Sequence, residues 1–193
     1  MLHHEISGNG KKPLVLLHGF MENTTIWNEM EAHLSKDFTL IKIDLPGHGK
    51  SKVYQEIHTV ELMAEKVKEV IDALKLEKIN LLGHSLGGYV SLAFAEKFPE
   101  ILESMTLFFS TTVADDEEKK AIRRRSIAVI DENFETFVKT SIPNLFSNNE
   151  KDILEGKIEL AKNIAKSTNK EGVKAAQLGM AERPDRTEIL ENL

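Results

Sequence analysis

The fold of this chain is decided by the stretch Ile79-Asn80-Leu81-Leu82-Gly83-His84-Ser85-Leu86-Gly87-Gly88. A short apolar run leads into Gly83-x-Ser85-x-Gly87, and helix-forming residues follow the motif. A strand, this motif and a helix in succession predict a sharp turn that holds Ser85 in a strained backbone conformation. The residues two positions away must be small, because a Cβ there would strike the adjacent strand or helix. The turn would lift the Ser85 hydroxyl above the sheet edge, where the first N–H groups of the helix would stabilise an oxyanion.

Two further turn motifs follow predicted strands earlier in the chain. The apolar run at residues 13–17 is typical of a strand buried on both faces, and it ends in His18-Gly19-Phe20. Residues 38–43 have the pattern of the next strand, which runs into Asp44-Leu45-Pro46-Gly47-His48-Gly49-Lys50-Ser51. Because ligands bind at the carboxyl ends of the strands in a parallel sheet, the three motifs indicate one common site.

Strands alternate with helical patterns over the first 110 residues. Asn23 or Thr24 is a candidate cap for a helix, and residues 59–74 carry apolar side chains at helical spacing. A further helix is predicted at residues 89–98, and a fourth buried strand at residues 105–109. This alternation implies right-handed crossovers and predicts an α/β protein with a mostly parallel sheet flanked by helices.

The pattern changes after Ser110. An acidic segment passes into a run of arginines at residues 123–125, and helical patterns then cover residues 134–146, 152–166 and 171–182. We expect residues 1–110 to form the core, residues 111–182 a helical lid over the site, and residues 183–193 the start of a return to the core. The alternative is a set of ordinary packing helices. We expect the arginines to lie on a solvated helix face. The alternative is a patch that binds phosphate or nucleic acid, which the acidic charge of the chain disfavours.

Composition narrows the classes of function. A chain of 193 residues fits one domain, or a domain with a small insertion. The net charge of −6 argues against nucleic acid as the main partner, since there is no basic excess to neutralise phosphates. The absence of cysteine excludes disulfides, thiol catalysis and Cys-based metal sites. With no signal-peptide pattern and no membrane-spanning run, we expect a cytoplasmic protein without a membrane partner.

Taken together, the three motifs resemble the α/β-hydrolase fold family, in particular small bacterial esterases and lactonase-like hydrolases with a helical lid. The resemblance implies that Ser85 is the nucleophile. It implies that the backbone N–H groups of Phe20 and Leu86 form the oxyanion hole, and that His18 and Gly19 belong to the loop supporting it. No cofactor or metal is implied, because acyl hydrolysis by this route needs none.

The resemblance gives the remaining motif residues structural roles. Asp44 and His48 are expected to structure their loop through hydrogen bonds. His84 occupies a variable position of the motif and is assigned no chemistry. His18 is not expected to be the catalytic base.

One part of the family pattern is absent. The triad runs in the order Ser, acid, His along the chain, but the seven histidines lie at positions 3, 4, 18, 33, 48, 58 and 84, and none follows Ser85. Asp115 or Asp116 could supply an acid, as in some relatives, and would still leave no base. The strand at residues 105–109 would then be an unpaired apolar edge.

Three explanations for the missing acid and His stay open. The chain could be the first three-quarters of a longer enzyme, lacking the last strands. A homo-oligomer, with a swapped copy, or a second chain could complete the sheet. The protein could also have kept the pocket and lost the chemistry.

The functional expectation follows from these points. In its complete form the protein is expected to be a serine hydrolase that acts on carboxylic esters or lactones through an acyl-enzyme on Ser85, with a small ester-like substrate. This chain alone is expected to be inactive or impaired. The alternative is a non-catalytic ligand-binding or interaction module that retains the hydrolase pocket without a base.

Overall fold

A computed structural model describes residues 1–191 of the chain. Its five strands are β1 His4–Ser7, β2 Lys12–Leu17, β3 Phe38–Ile43, β4 Ile79–His84 and β5 Leu102–Phe108. They form one sheet in the order β1-β3-β2-β4-β5. Strand β1 runs antiparallel to β3, and the other neighbouring pairs are parallel. The predicted mostly parallel sheet is therefore confirmed.

Helices connect and cover the strands. Those within the described range are α1 Asn28–Leu34, α2 Val60–Ala73, α3 Leu86–Lys97, α4 Glu117–Glu132, α5 Phe134–Ser141, α6 Glu155–Ser167, α7 Lys170–Glu182 and α8 Thr187–Glu191. Three short 3₁₀ turns, Thr24–Trp27, Pro99–Ile101 and Ile142–Leu145, join them. Over residues 1–191, none of these helices combines the length and apolarity that crossing a membrane requires.

Helices cover both faces of the sheet, and the central strand β2 has buried apolar side chains from Leu14 to Leu17. Val15 and Leu17 of β2 point to one face, where α2 and α3 pack on them in the largest buried cluster. Leu14 and Leu16 point to the other face and pack with Trp27, just before α1. Alternate residues of a strand point to opposite faces, so β2 contributes to both layers of the core.

Helices α4 to α7, residues 117–182, form a helical block with an apolar cluster of its own. The buried members from this block are Ile130, Phe137, Val138, Ile142, Ala165 and Val173. Two arginines after α7 tie the end of the block to the rest of the molecule. Arg183 bonds to Asp115, which precedes α4, and Arg186 bonds to Glu61 of α2 and Glu96 of α3.

Strand β5 corrects one expectation. The apolar pattern predicted a buried strand at residues 105–109, but β5 spans Leu102–Phe108 and is half-buried or exposed along its length. Phe108 is 39% exposed, and Phe109, just after the strand, is 82% exposed. The reason is topological: among residues 1–191, β5 has β4 as its sole neighbour. Its other edge carries the unpaired backbone groups that the sequence analysis anticipated.

Candidate active site

Ser85 occupies the junction between β4 and α3. Strand β4 ends at His84 and α3 begins at Leu86, so Ser85 alone makes the turn. Its backbone has φ 49° and ψ −111°, in a region that residues with a Cβ rarely adopt. The Ser85 N–H donates to the Phe108 carbonyl (3.0 Å), and the Ser85 carbonyl accepts from the Ser110 hydroxyl (2.9 Å). These bonds to the end of β5 hold the strained residue in place.

The two glycines of the motif are required by close backbone packing. A Cβ on Gly83 would lie 2.3 Å from the Gly87 carbonyl oxygen and 2.4 Å from the Ser91 hydroxyl. A Cβ on Gly87 would lie 2.2 Å from the Leu17 carbonyl oxygen. Helix α3 therefore begins in direct contact with the end of β2, which brings the serine motif and the His18-Gly19-Phe20 motif together.

The segment after β2, residues 18–23, forms a loop that we call the 18–23 loop. His18 is fully buried at its start, and its Nε2 accepts the Leu45 N–H at 2.9 Å. Its Nδ1 lies 2.7 Å from the Gly19 carbonyl oxygen and donates to it. Burial lowers the pKa of His18, so the ring is held neutral. Both ring nitrogens are committed to backbone, which suits a supporting role and not that of a base.

Glu22 closes the same loop onto the serine motif. Its Oε2 accepts the Gly19 N–H at 2.5 Å and lies 2.9 Å from His84 Nδ1. A Cβ on Gly19 would lie 2.7 Å from this oxygen and 2.9 Å from the His84 nitrogen. A side chain at position 19 would therefore have to displace the Glu22–His84 pair. Sequence reasoning missed this pair, since its members are 62 positions apart and Glu22 belongs to none of the three motifs.

The two predicted oxyanion donors lie on either side of this junction. Phe20 sits in the turn of the 18–23 loop, and within the described chain its N–H has no acceptor. Leu86 is the first residue of α3, ahead of the first helical bonds, which run from the Gly88 and Tyr89 N–H groups to the Ser85 carbonyl. Both amides are therefore available to a ligand atom.

The loop after β3 braces the 18–23 loop from behind. The Asp44 carboxylate accepts the Thr24 N–H at 2.8 Å and the Lys50 N–H at 2.9 Å. Gly49 has φ +50°, and a Cβ there would lie 2.3 Å from the Asp44 carboxylate. Asp44 thus structures this loop as the sequence predicted, and it also fixes the far end of the 18–23 loop.

His48 and His58 are buried behind the loops. Each ring donates from Nδ1 to the Pro46 carbonyl oxygen, at 3.0 Å and 3.1 Å respectively. Burial lowers the pKa of His48 to about 3, and burial also lowers the pKa of His58. Both rings are therefore neutral at neutral pH. The His48 ring lies edge-on to Phe20, with 6.2 Å between ring centroids, and so packs beneath a predicted oxyanion donor.

Comparison with known proteins gives the family. The model of the alpha/beta hydrolase fold matches residues 12–152 of the chain. This chain belongs to the alpha/beta hydrolase fold family. A malate-bound thermophilic esterase from Thermogutta terrifontis superposes on it with a TM-score of 0.91 and 36% identity, covering 97% of this chain and 70% of the esterase.

Curated members of the alpha/beta hydrolase fold family align over a shorter stretch. An uncharacterized protein of Mycobacterium tuberculosis is 35% identical over 111 residues, which cover 58% of this chain and 32% of that protein. The 2-hydroxy-6-oxononadienedioate/2-hydroxy-6-oxononatrienedioate hydrolase of Escherichia coli is 35% identical over 111 residues, 55% of this chain and 38% of that enzyme. The aligned part thus spans about a third of the length of these relatives.

None of the seven histidines is placed as the base of an alpha/beta hydrolase. His18, His48 and His58 bond to backbone, and His84 bonds to Glu22. His3 and His4 lie at β1, and His33 lies on α1. Across residues 1–191 the Ser85 hydroxyl has no side-chain hydrogen-bond partner. Within the described residues, no histidine is therefore seen hydrogen-bonded to the Ser85 hydroxyl.

The two aspartates considered as the acid have other roles. Asp115 is buried between two arginines, with Arg183 at 2.9 Å and Arg123 at 2.5 Å from its carboxylate oxygens. Burial raises the pKa of Asp115, but the hydrogen bonds from the arginines outweigh it and the pKa lies below its usual value. The Asp116 side chain caps α4 by accepting the Lys119 N–H. Both aspartates thus organise the entry to the helical block.

Proposed function

We propose that this chain carries the nucleophile and oxyanion hole of a serine hydrolase that cleaves carboxylic esters or lactones. The observation that carries the proposal is Ser85, held at φ 49° between a buried strand and the free N-terminus of α3. Similarity to an esterase at 36% identity over 97% of the chain supports the choice of substrate class.

In this mechanism the Ser85 hydroxyl oxygen attacks the carbonyl carbon of the ester, and a base takes its proton. The carbonyl oxygen becomes an oxyanion that accepts hydrogen bonds from the Phe20 and Leu86 N–H groups. Each such donor contributes about 2.7–4 kcal/mol in the transition state. The alcohol leaves with the proton, and an acyl group stays on Ser85. Water then attacks the acyl group and releases the acid.

We propose that the base and the acid come from outside this copy of the chain, because no histidine within residues 1–191 hydrogen-bonds to the Ser85 hydroxyl. The free edge of β5 is the natural attachment for the elements that carry them, since it lies beside the Ser85 junction. A further copy of the chain or a second chain docked on this edge would supply them. The chain by itself is accordingly proposed to be inactive or impaired.

The helical block, with the residues that lead into it, is proposed to be the lid over the site, spanning residues 111–182. Phe20 supports this assignment because its side chain packs against both the core cluster and the cluster of the helical block. The lid would shape the acyl pocket and so select the substrate. A cytoplasmic location stays a prediction of the sequence.

The second candidate function is a non-catalytic module that binds an ester-like ligand. The observation in its favour is the Ser85 hydroxyl itself, which lacks a base within the described residues. A module of this kind would use the Phe20 and Leu86 amides to hold a carbonyl or carboxylate oxygen without turning the ligand over.

Hydrolysis of short p-nitrophenyl esters separates the two functions. The measurement uses the protein from its native source, together with any chain that accompanies it, and the Ser85→Ala variant. A matched control is Ser104→Ala on β5, whose hydroxyl bonds to the Asn80 side chain away from the site. The hydrolase proposal expects loss of turnover by at least about 10³-fold in Ser85→Ala and full activity in Ser104→Ala. Ligand binding without turnover in the unaltered protein would favour the binding module.

A further inference from the structure

Within residues 1–191, Met21 is the one buried member of the helical block's cluster that comes from outside residues 117–182. It is 3% exposed and packs with Ile130, Phe137, Val138, Ile142, Ala165 and Val173. Met21 belongs to the 18–23 loop and directly follows Phe20. The loop that carries a proposed oxyanion donor is thus inserted into the interior of the proposed lid.

The backbone of Met21 is held in an unfavourable conformation. Its φ is 59°, in the left-handed region that a long side chain seldom occupies. Such a conformation persists only where the surroundings enforce it. Two sets of contacts can hold Met21 in this conformation. One is the apolar cluster around its side chain, and the other is the neighbouring Glu22, which bonds to Gly19 and to His84.

Two consecutive side chains of the 18–23 loop therefore contact different parts of the molecule. Met21 is anchored in the helical block, and Glu22 is anchored to the end of β4. The loop ends are fixed separately, by His18 on Leu45 and by Thr24 on Asp44. Between these fixed ends, the position of the Phe20 peptide depends on Met21 and Glu22.

We propose that Met21 is a positioning residue that couples the helical block to the 18–23 loop. A displacement of the block is transmitted through Met21 to the Gly19–Phe20 backbone, and Glu22 opposes it from the side of the serine. The catalytic consequence rests on the proposed function: the lid would control not only access to Ser85 but also the alignment of the Phe20 N–H.

Amide hydrogen exchange followed by NMR tests the coupling without requiring activity. The reporter is the Gly19 N–H, which bonds to Glu22, and the reference is the Leu16 N–H in the central strand β2. The perturbation is Val138→Ala, a buried residue of the block's cluster. The matched control is Val67→Ala, an equally buried residue of α2 in the core cluster. Comparing the two amides separates local opening of the loop from loss of overall stability.

The coupling predicts that Val138→Ala speeds Gly19 exchange at least about 5-fold more than Leu16 exchange, whereas Val67→Ala changes the two amides by the same factor within about 2-fold. In a Met21→Ala background, Val138→Ala should add less than about 2-fold, because the link is already cut. Met21→Leu should preserve the response to Val138→Ala. The comparison of Val138→Ala with Val67→Ala stands alone if Met21→Ala does not fold.

The coupling would be overturned if Val138→Ala and Val67→Ala changed the ratio of the Gly19 and Leu16 exchange rates equally. It would also be overturned if Val138→Ala had its full effect on Gly19 exchange in the Met21→Ala background. In the ester-hydrolysing protein, Met21→Ala should lower kcat at least about 10-fold while KM stays within about 3-fold, and Met21→Leu should restore kcat. If the protein hydrolyses no ester and Ser85 does not react with a fluorophosphonate, the proposed function is refuted. The hydrogen-exchange result would still stand, because it does not depend on activity.

Discussion

The two sides of the Ser85 junction are held very differently. Toward β2 and β3, backbones approach so closely that Gly87 has no room for a Cβ, and the Asp44 carboxylate ties two loops together. Toward β5, the strand has a single neighbour within residues 1–191, and Phe109 is 82% exposed. The contrast supports the proposal that this chain builds the nucleophile and its oxyanion donors, and that a base is added on the open side.

The largest effect is expected from disturbing the closed side. Gly87→Ala places a Cβ 2.2 Å from the Leu17 carbonyl oxygen, and neither backbone can move without displacing a strand or a helix. We expect a loss of unfolding free energy of about 3 kcal/mol or more. Urea denaturation followed by circular dichroism measures it.

Gly156→Ala is the matched control. Gly156 lies in α6, and a Cβ there would meet no atom within 4 Å. Since alanine is the better helix former, this variant should gain about 0.5–1 kcal/mol. Similar behaviour of the two variants would contradict the close packing described for the junction.

An effect of comparable size is expected from acid, again on the closed side. His48 is neutral in the folded protein because burial lowers its pKa to about 3, whereas the unfolded chain binds a proton near pH 6.5. The unfolded state therefore gains protons first as the pH falls, and the unfolding free energy decreases. His48 should contribute about 3 kcal/mol of loss between pH 7 and pH 4, and His18 and His58 should add losses of the same sign.

Denaturation at a series of pH values checks this prediction. His48→Asn should reduce the slope of the unfolding free energy against pH by up to about 1.4 kcal/mol per pH unit between pH 6 and pH 4. This reduction is expected however much the substitution destabilises the protein at neutral pH. Ser104→Ala on β5, which removes no titratable group, should leave the slope unchanged. If His48→Asn and the unaltered protein have the same slope, His48 is not held neutral in the folded protein.

The smallest change in stability is expected on the open side. Phe109 has φ 47° and an almost fully exposed ring, so Phe109→Asn should change the unfolding free energy by less than about 0.5 kcal/mol. It should nevertheless weaken association at the β5 edge, which sedimentation velocity would detect. Ile153→Asn, at an exposed site in the helical block, should not alter association. A loss of more than about 1 kcal/mol in monomeric Phe109→Asn would contradict an open edge.

The sequence was sufficient for the parts of the molecule that depend on local pattern. Strand β3 has the predicted bounds, and Thr59 caps α2 where the apolar spacing begins. The loop role of Asp44 followed from the resemblance of its motif to the family pattern. The first helix was less regular than predicted, because a 3₁₀ turn capped by Asn23 precedes α1.

The rest depends on contacts between distant residues. Residues 105–109 looked like a buried strand because most of them are apolar, but β5 lies at the edge of the sheet within residues 1–191, which no pattern within the strand reveals. Glu22 and His84 meet across 62 positions, and Met21 reaches a cluster formed more than 100 residues later. These side chains lie outside any motif, so only the folded arrangement identifies them.

Intact-mass analysis after fluorophosphonate treatment tests the central claim, that Ser85 is a nucleophile poised by this chain. The protein is taken from its native source with any accompanying chain, and Ser85→Ala is treated in parallel. We expect one label per chain, located on Ser85, and none on the variant. A protein that stays unlabelled both alone and with its partners, or a label that persists in Ser85→Ala, would contradict it.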